Sequence, residues 1–132
     1  MKPTFTQIKE TCLYVADLQR TREFYEGKLG LECFALSESR HAFFRAGSSV
    51  LLCFIAEATK TDTKLPPHFG TGQQHFAFET EVQHYRAWKQ WVADAGIAIE
   101  QEVDWPQGGK SFYFRDPDGN LAEIVMKGIW GI

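Results

Sequence analysis

The feature that most restricts what this chain can fold into is an order of elements written twice. In the first half, residues 8–16 alternate as a strand, and Asp17 follows with a carboxylate suited to cap the first turn of a helix. Leu18, Thr21, Tyr25 and Leu29 then recur at helical spacing, and Gly30 stands where a left-handed stop is needed. Three short strands are expected after it, at 31–36, 41–46 and 49–55, broken by Ser37-Glu38-Ser39 and Gly47-Ser48. The second half repeats the order. Residues 74–79 read as a strand, and Thr80-Glu81-Val82-Gln83 as a capping box opening a helix. The apolar stripe of that helix is Val82, Tyr85, Trp88, Val92 and Ala95, with Gly96 as its stop. Strands at 97–103, 111–115 and 121–126 complete the half, the last two joined by the turn Asp116-Pro117-Asp118-Gly119.

The repeat predicts an α+β fold in which two paired βαβββ modules, residues 8–56 and 73–127, form a cleft within a single domain of residues 1–132. Residues 57–72 are polar, contain Pro66-Pro67, Gly70 and Gly72, and are expected to be a linker rather than another element. A module of about sixty residues buries too little surface to be comfortable alone, so the two must pair, within a chain or between two chains.

Composition narrows the function classes without choosing one. Hydrophobic residues at 44% and charged residues at 23% are those of a soluble globular protein. A net charge of −3 with no basic run argues against a nucleic-acid partner. The longest apolar run, residues 50–56, is too short to span a membrane, and Met1-Lys2-Pro3-Thr4 turns polar too soon for a signal peptide. Cys12, Cys33 and Cys53 are odd in number, form no C-x-x-C pair and lie in apolar stretches. They are expected to be buried free thiols in a reducing cytoplasm.

Strand alternation sorts the candidate chemistry by face. Phe76 and Phe78 suit a face packed on a helix, which leaves His75, Ala77 and Glu79 on the other. Residues 121–126 are apolar on both faces except for Glu123, which predicts a buried strand carrying an interior carboxylate. Such a charge costs several kcal/mol, on the order given by desolvation, unless it is paired, protonated or metal-bound. In the first strand Glu10 shares a face with Cys12 and Tyr14, while Leu13 and Val15 face the helix. Glu10, His75 and Glu123 occupy related places in the repeat. Two carboxylates and one imidazole suit an open divalent-metal site with positions left for water or substrate.

Structural readings stand beside this one. His75 can be a hydrogen-bonded strand residue, Glu10 an exposed one, and Glu123 the partner of Arg45 or Arg115. His41, Phe43 and Arg45 share one face, and Ser111, Tyr113 and Arg115 share the equivalent face of the second module. Tyr113 is expected to point into the same cleft as Glu123, where its hydroxyl can bind or protonate a substrate oxygen. Gly108-Gly109 suggests a flexible loop, His84 an exposed helix residue, and His68 either a lid residue or a solvated one. No G-x-S-x-G, H-E-x-x-H or Walker pattern occurs.

Residues 10–18, with Phe24-Tyr25 and Leu29-Gly30-Leu31 behind them, resemble the opening of vicinal oxygen chelate proteins. That superfamily includes glyoxalase I, fosfomycin-resistance enzymes, extradiol dioxygenases and bleomycin-binding proteins. The second half is similar over 72–78 and again over 111–124, where Arg115-Asp116-Pro117-Asp118-Gly119-Asn120 runs on to Glu123. The resemblance spans about residues 8–127 and implies paired βαβββ modules around a metal cleft. It places the metal on Glu10, His75 and Glu123, and the ion would be Mn, Fe, Ni or Zn. The fourth ligand used by glyoxalase I would fall on Cys53 or Leu52, neither of them the expected carboxylate. Ser111 and Tyr113 match substrate-lining positions of fosfomycin-resistance enzymes. Tyr14 and Phe43 are the further substrate-binding candidates, and Glu123 and Tyr113 the catalytic ones.

The resulting expectation is a cytoplasmic, metal-dependent lyase, isomerase or dioxygenase acting on a small molecule with neighbouring oxygens, working as a homodimer. The alternative is a non-catalytic, bleomycin-resistance-like protein that binds a small molecule between its modules, a reading the four Trp keep open.

Overall fold

A computed structural model describes all residues, Met1–Ile132. The first module comprises β1 (Glu10–Tyr14), α1 (Leu18–Arg22), β2 (Cys33–Ser37), β3 (His41–Ala46) and β4 (Ser49–Phe54). A short helix α2 (Ala56–Lys60) follows. The second module comprises β5 (His75–Thr80), α3 (Tyr85–Asp94), β6 (Gln101–Asp104), β7 (Lys110–Arg115) and β8 (Leu121–Met126). Each module forms one four-stranded mixed sheet, ordered β1-β4-β3-β2 and β5-β8-β7-β6. In each, the first strand runs parallel to the last and the remaining pairs are antiparallel. The expected α+β fold of two βαβββ modules is therefore present. No helix is long and apolar enough to cross a membrane.

Local chemistry explains the helices. Asp17 Oδ1 accepts from the Arg20 amide at 3.0 Å, as an N-cap should. Beyond Arg22 the coil widens, and the Leu29 amide bonds back five residues to the Phe24 carbonyl at 3.0 Å. That wide turn lets Phe24, Tyr25 and Leu29 all be buried. Gly30, at φ +82°, ends it.

Three expectations are corrected here. Residues 57–72 are not linker alone, because α2 occupies their start and buries Thr59. The capping box at Thr80 does not form. Thr80 belongs to β5 and is buried, and α3 begins after a 3-10 turn at Val82–His84 whose preceding Glu81 makes no side-chain cap. Val82 accordingly leaves the apolar stripe and is exposed, while Tyr85 and Val92 are buried. Cys12 is exposed, because β1 turns only Leu13 inward between its two neighbours; Cys53 alone is fully buried.

The helical segments lie between the sheets. Phe24 packs on Phe114, and Tyr25 touches both Phe44 of the first sheet and Phe76 of the second, with ring centroids 5.6 and 6.4 Å away. The Trp91 indole of α3 donates to the Lys28 carbonyl at 2.8 Å. One apolar core therefore draws on both modules, with α1 and α3 on its side of the sheets, and the opposite face of each sheet is free of these two helices. Glu10 and Cys12 on the first sheet, and His75, Ala77 and Glu79 on the second, are exposed there.

A polar clamp crosses this core. Asp116 in the β7–β8 turn accepts from Tyr25 Oη at 2.7 Å, from Asn120 Nδ2 at 3.0 Å, and from the amides of Asp118 and Asn120. Burial, then Asp116, pushes the Tyr25 phenol well above its usual range. In the same turn Gly119 sits at φ +82°. Gly119→Ala is expected to destabilise the fold by about 1–2 kcal/mol, from the left-handed backbone cost to a Cβ. Urea unfolding of the two proteins measures it, and an unchanged midpoint would show that the turn adopts another conformation.

Candidate metal and substrate site

The register of the two sheets makes their residues comparable position by position. Val50 pairs with Glu10 and Arg45, as Leu121 pairs with His75 and Arg115. Leu52 pairs with Cys12 and Phe43, as Glu123 pairs with Ala77 and Tyr113. Glu10 and His75 are thus equivalents, Phe43 and Tyr113 are equivalents, and Leu52 stands where the second sheet has Glu123.

On the helix-free face of the second sheet, Glu123 is 6% exposed, and its Oε1 lies 3.2 Å from His75 Nε2. His75 Nδ1 lies 2.9 Å from the Leu121 carbonyl. A carbonyl can only accept, so Nδ1 carries a proton, and Nε2, the other ring nitrogen, faces the carboxylate. A ring nitrogen and a carboxylate oxygen this close need a proton or a cation between them. An imidazole fixed by a backbone carbonyl beside a shielded carboxylate is the donor set a divalent ion takes, and this pair fits one.

Tyr113 and Ser111 add two hydroxyls to that face. Tyr113 lies directly across from Glu123, its ring centroid 6.1 Å from that of His75. Ser111 is fully buried, and its hydroxyl donates to Tyr113 Oη at 3.4 Å while accepting from the Trp105 indole at 3.0 Å. His75, Glu123, Tyr113 and Ser111 are therefore brought together.

Glu10, Tyr14 and Phe43 lie on the helix-free face of the first sheet instead. Because the helices separate the sheets, one chain does not bring a third ligand to the His75–Glu123 pair. The first face is mostly aromatic. Tyr14 Oη lies 2.6 Å from His68 Nδ1, His41 stacks on Phe43 at 4.1 Å, and the rings of Tyr14, His41, Phe43 and His68 surround Phe54. Burial and the Arg40 guanidinium hold the His41 pKa below its usual range.

Several sequence alternatives are settled. Arg45 pairs with Glu32 and Arg115 with Glu100, so neither neutralises Glu123. Cys53 is fully buried between Leu13 and Ala42, unavailable as a fourth ligand, and burial pushes its thiol far up. By register it is Leu52, not Cys53, that stands where the second sheet has Glu123. His84 is exposed as expected, and His68 is neither solvated nor a free lid but half-buried on Tyr14 and Phe54. Sequence reasoning did not join Trp105 to Ser111. The six-residue spacing across a tight hairpin was the available signal.

The model of the Glyoxalase/Bleomycin resistance protein/Dioxygenase superfamily matches residues 7–124. The chain belongs to this superfamily. Among the superfamily's members, a lactoylglutathione lyase from Agrobacterium tumefaciens superposes with a TM-score of 0.91 at 32% identity, over 98% of this chain and 99% of that one. Glutathione transferase FosA of Serratia marcescens is 30% identical over 115 residues, 85% of this chain and 74% of its own. Metallothiol transferase FosB of Staphylococcus saprophyticus is 25% identical over 111 residues, 83% of this chain and 70% of its own. These superfamily relatives are enzymes by name; what each acts on is a property of that protein.

Proposed function

We propose that this protein is a divalent-metal-dependent enzyme acting on a small molecule with neighbouring oxygens, in a reaction that adds a thiol or converts a thiol adduct. The observation that carries the reading is the buried Glu123 carboxylate facing Nε2 of a His75 ring fixed by the Leu121 carbonyl. The thiol part rests on the names of the similar proteins, a lactoylglutathione lyase, a glutathione transferase and a metallothiol transferase. Leu52 at the fourth ligand position favours transferase chemistry with three protein ligands over a four-ligand lyase site.

His75 and Glu123 would hold the ion, with Glu10 of a second copy as the third ligand, since the helix-free faces of one chain point apart. Mn, Fe, Ni or Zn suits mixed oxygen and nitrogen ligation. A bound divalent ion supplies Lewis-acid stabilisation of negative charge developing on a substrate oxygen. Tyr113 donates a hydrogen bond to that oxygen, and Ser111 holds the Tyr113 ring in place. Tyr14 and Phe43, on the strands that carry Glu10 and its neighbours, line the opposite wall of the assembled homodimer cleft.

The test is elemental analysis combined with subunit mixing. The parent is expected to hold near one equivalent of metal per chain, and Glu10→Ala and Glu123→Ala are each expected to hold little. Refolding the two variants together restores one intact site in each mixed dimer, with thiol-transfer or lyase activity following the metal. Absence of metal in the parent after incubation with Mn, Fe, Ni and Zn would overturn the proposal. Metal retained by Glu10→Ala would overturn the shared site.

A further inference from the structure

We infer that Trp105 is a positioning residue of this site: its indole N–H sets the direction of a hydrogen-bond chain that leaves the Tyr113 hydroxyl proton free for an anionic substrate oxygen. The inference rests on the proposed function, because Tyr113 matters only if a substrate oxygen comes to it.

Donor chemistry fixes the direction. An indole N–H can only donate, and Trp105 Nε1 reaches Ser111 Oγ at 3.0 Å. Ser111 has no exposure, so its own hydrogen must find a protein acceptor, and Tyr113 Oη at 3.4 Å is that acceptor. The link is long, as such bonds often are before a ligand tightens them. Once Tyr113 Oη accepts from Ser111, its proton points away from Ser111. Its neighbours on this face are Glu123, directly across the strand pair, and the His75 ring. A serine without the indole bond can rotate and accept from Tyr113 instead, which would take the proton out of the site.

The turn before β7 holds the indole in place. The Trp105 amide donates to the Gly109 carbonyl at 3.0 Å, and the Gly108 amide donates to the Trp105 carbonyl at 2.9 Å. Both glycines have positive φ, and a Cβ on Gly109 would stand 2.8 Å from Ile129 Cγ2. The pair read from sequence as a flexible loop is a turn seated against the C-terminal segment. Phenylalanine at 105 would occupy much of the same volume but lack the donor.

Oxalate, an anion with neighbouring oxygens, is the probe, and its affinity for the Mn(II)-loaded protein is measured by calorimetry. Trp105→Phe and Tyr113→Phe are each expected to weaken oxalate about tenfold, the loss of one hydrogen bond to a charged group. The double variant is expected to be no weaker than either single, because the two residues act through one bond. Ser111→Ala gives the same loss with the indole intact, and stands in if Trp105→Phe fails to fold. Manganese content is expected to be equal in all variants. Unchanged oxalate affinity in Trp105→Phe, or losses that add in the double variant, would overturn the inference and leave the proposed function standing. A parent protein that takes up no manganese, or takes it up and ignores oxalate, would overturn both.

Discussion

Glu123→Gln is expected to lower affinity for Mn(II) or Zn(II) by at least about a hundredfold, the upper end of what even an outer-shell change costs, while leaving the melting temperature of the metal-free protein unchanged or higher. The two effects have one origin. Glu123 is 6% exposed, with His75 Nε2 3.2 Å from its Oε1. A carboxylate there carries a desolvation cost that a bound cation offsets and an empty site does not. Glutamine keeps the shape, can donate its amide to His75 Nε2, and removes the charge. A chelator-competition titration gives the affinity, and calorimetry of the metal-free protein gives the stability. If Glu123 were structural, the pattern would reverse, with metal affinity held and the melting temperature falling by several degrees.

The opposite profile belongs to Asp116. Asp116→Ala is expected to cost about 3–5 kcal/mol, because it strands several buried donors at once. Its carboxylate receives four bonds, one from a Tyr25 side chain with no exposure. For a chain of this size the melting temperature should fall by roughly 10–15 °C. Tyr25→Phe removes one donor and should cost about 1–3 kcal/mol, while leaving the other bonds to the carboxylate. Thermal and urea unfolding of the three proteins test the order. Equal stability of Asp116→Ala and the parent would mean that the clamp does not hold the modules together.

Much of the fold was legible because alternation and turn residues agree locally. The strands expected at 41–46 and 121–126 are the observed β3 and β8 to the residue. The burial of Leu13 beside exposed Cys12 follows the alternation, whereas the apolar run around Cys12 pointed the other way. The capping box at Thr80 was misread because parallel pairing with Met126 carries β5 one residue further than its local pattern suggests. The grouping of His75, Glu123 and Tyr113 followed from strand faces, which sequence can assign. The separation of Glu10 from them did not, because it depends on Tyr25 and Phe24 filling the space between the sheets, a tertiary fact with no local signature. The contact of His68 with Tyr14 arises where a loop folds back on a strand, and neither spacing nor period announces it.

The matching register of the two sheets reads as a record of duplication followed by division of labour. Glu10 and His75 occupy one position of the repeat, and both carry side chains able to donate to a cation. At the next shared position the two sheets differ, one carrying Glu123 and the other Leu52. A two-base change would turn a leucine codon such as CTG into the glutamate codon GAG, and Leu52→Glu would restore the symmetry of the pair. The single side chain at 52 is thus what separates the first sheet from the carboxylate pattern of the second.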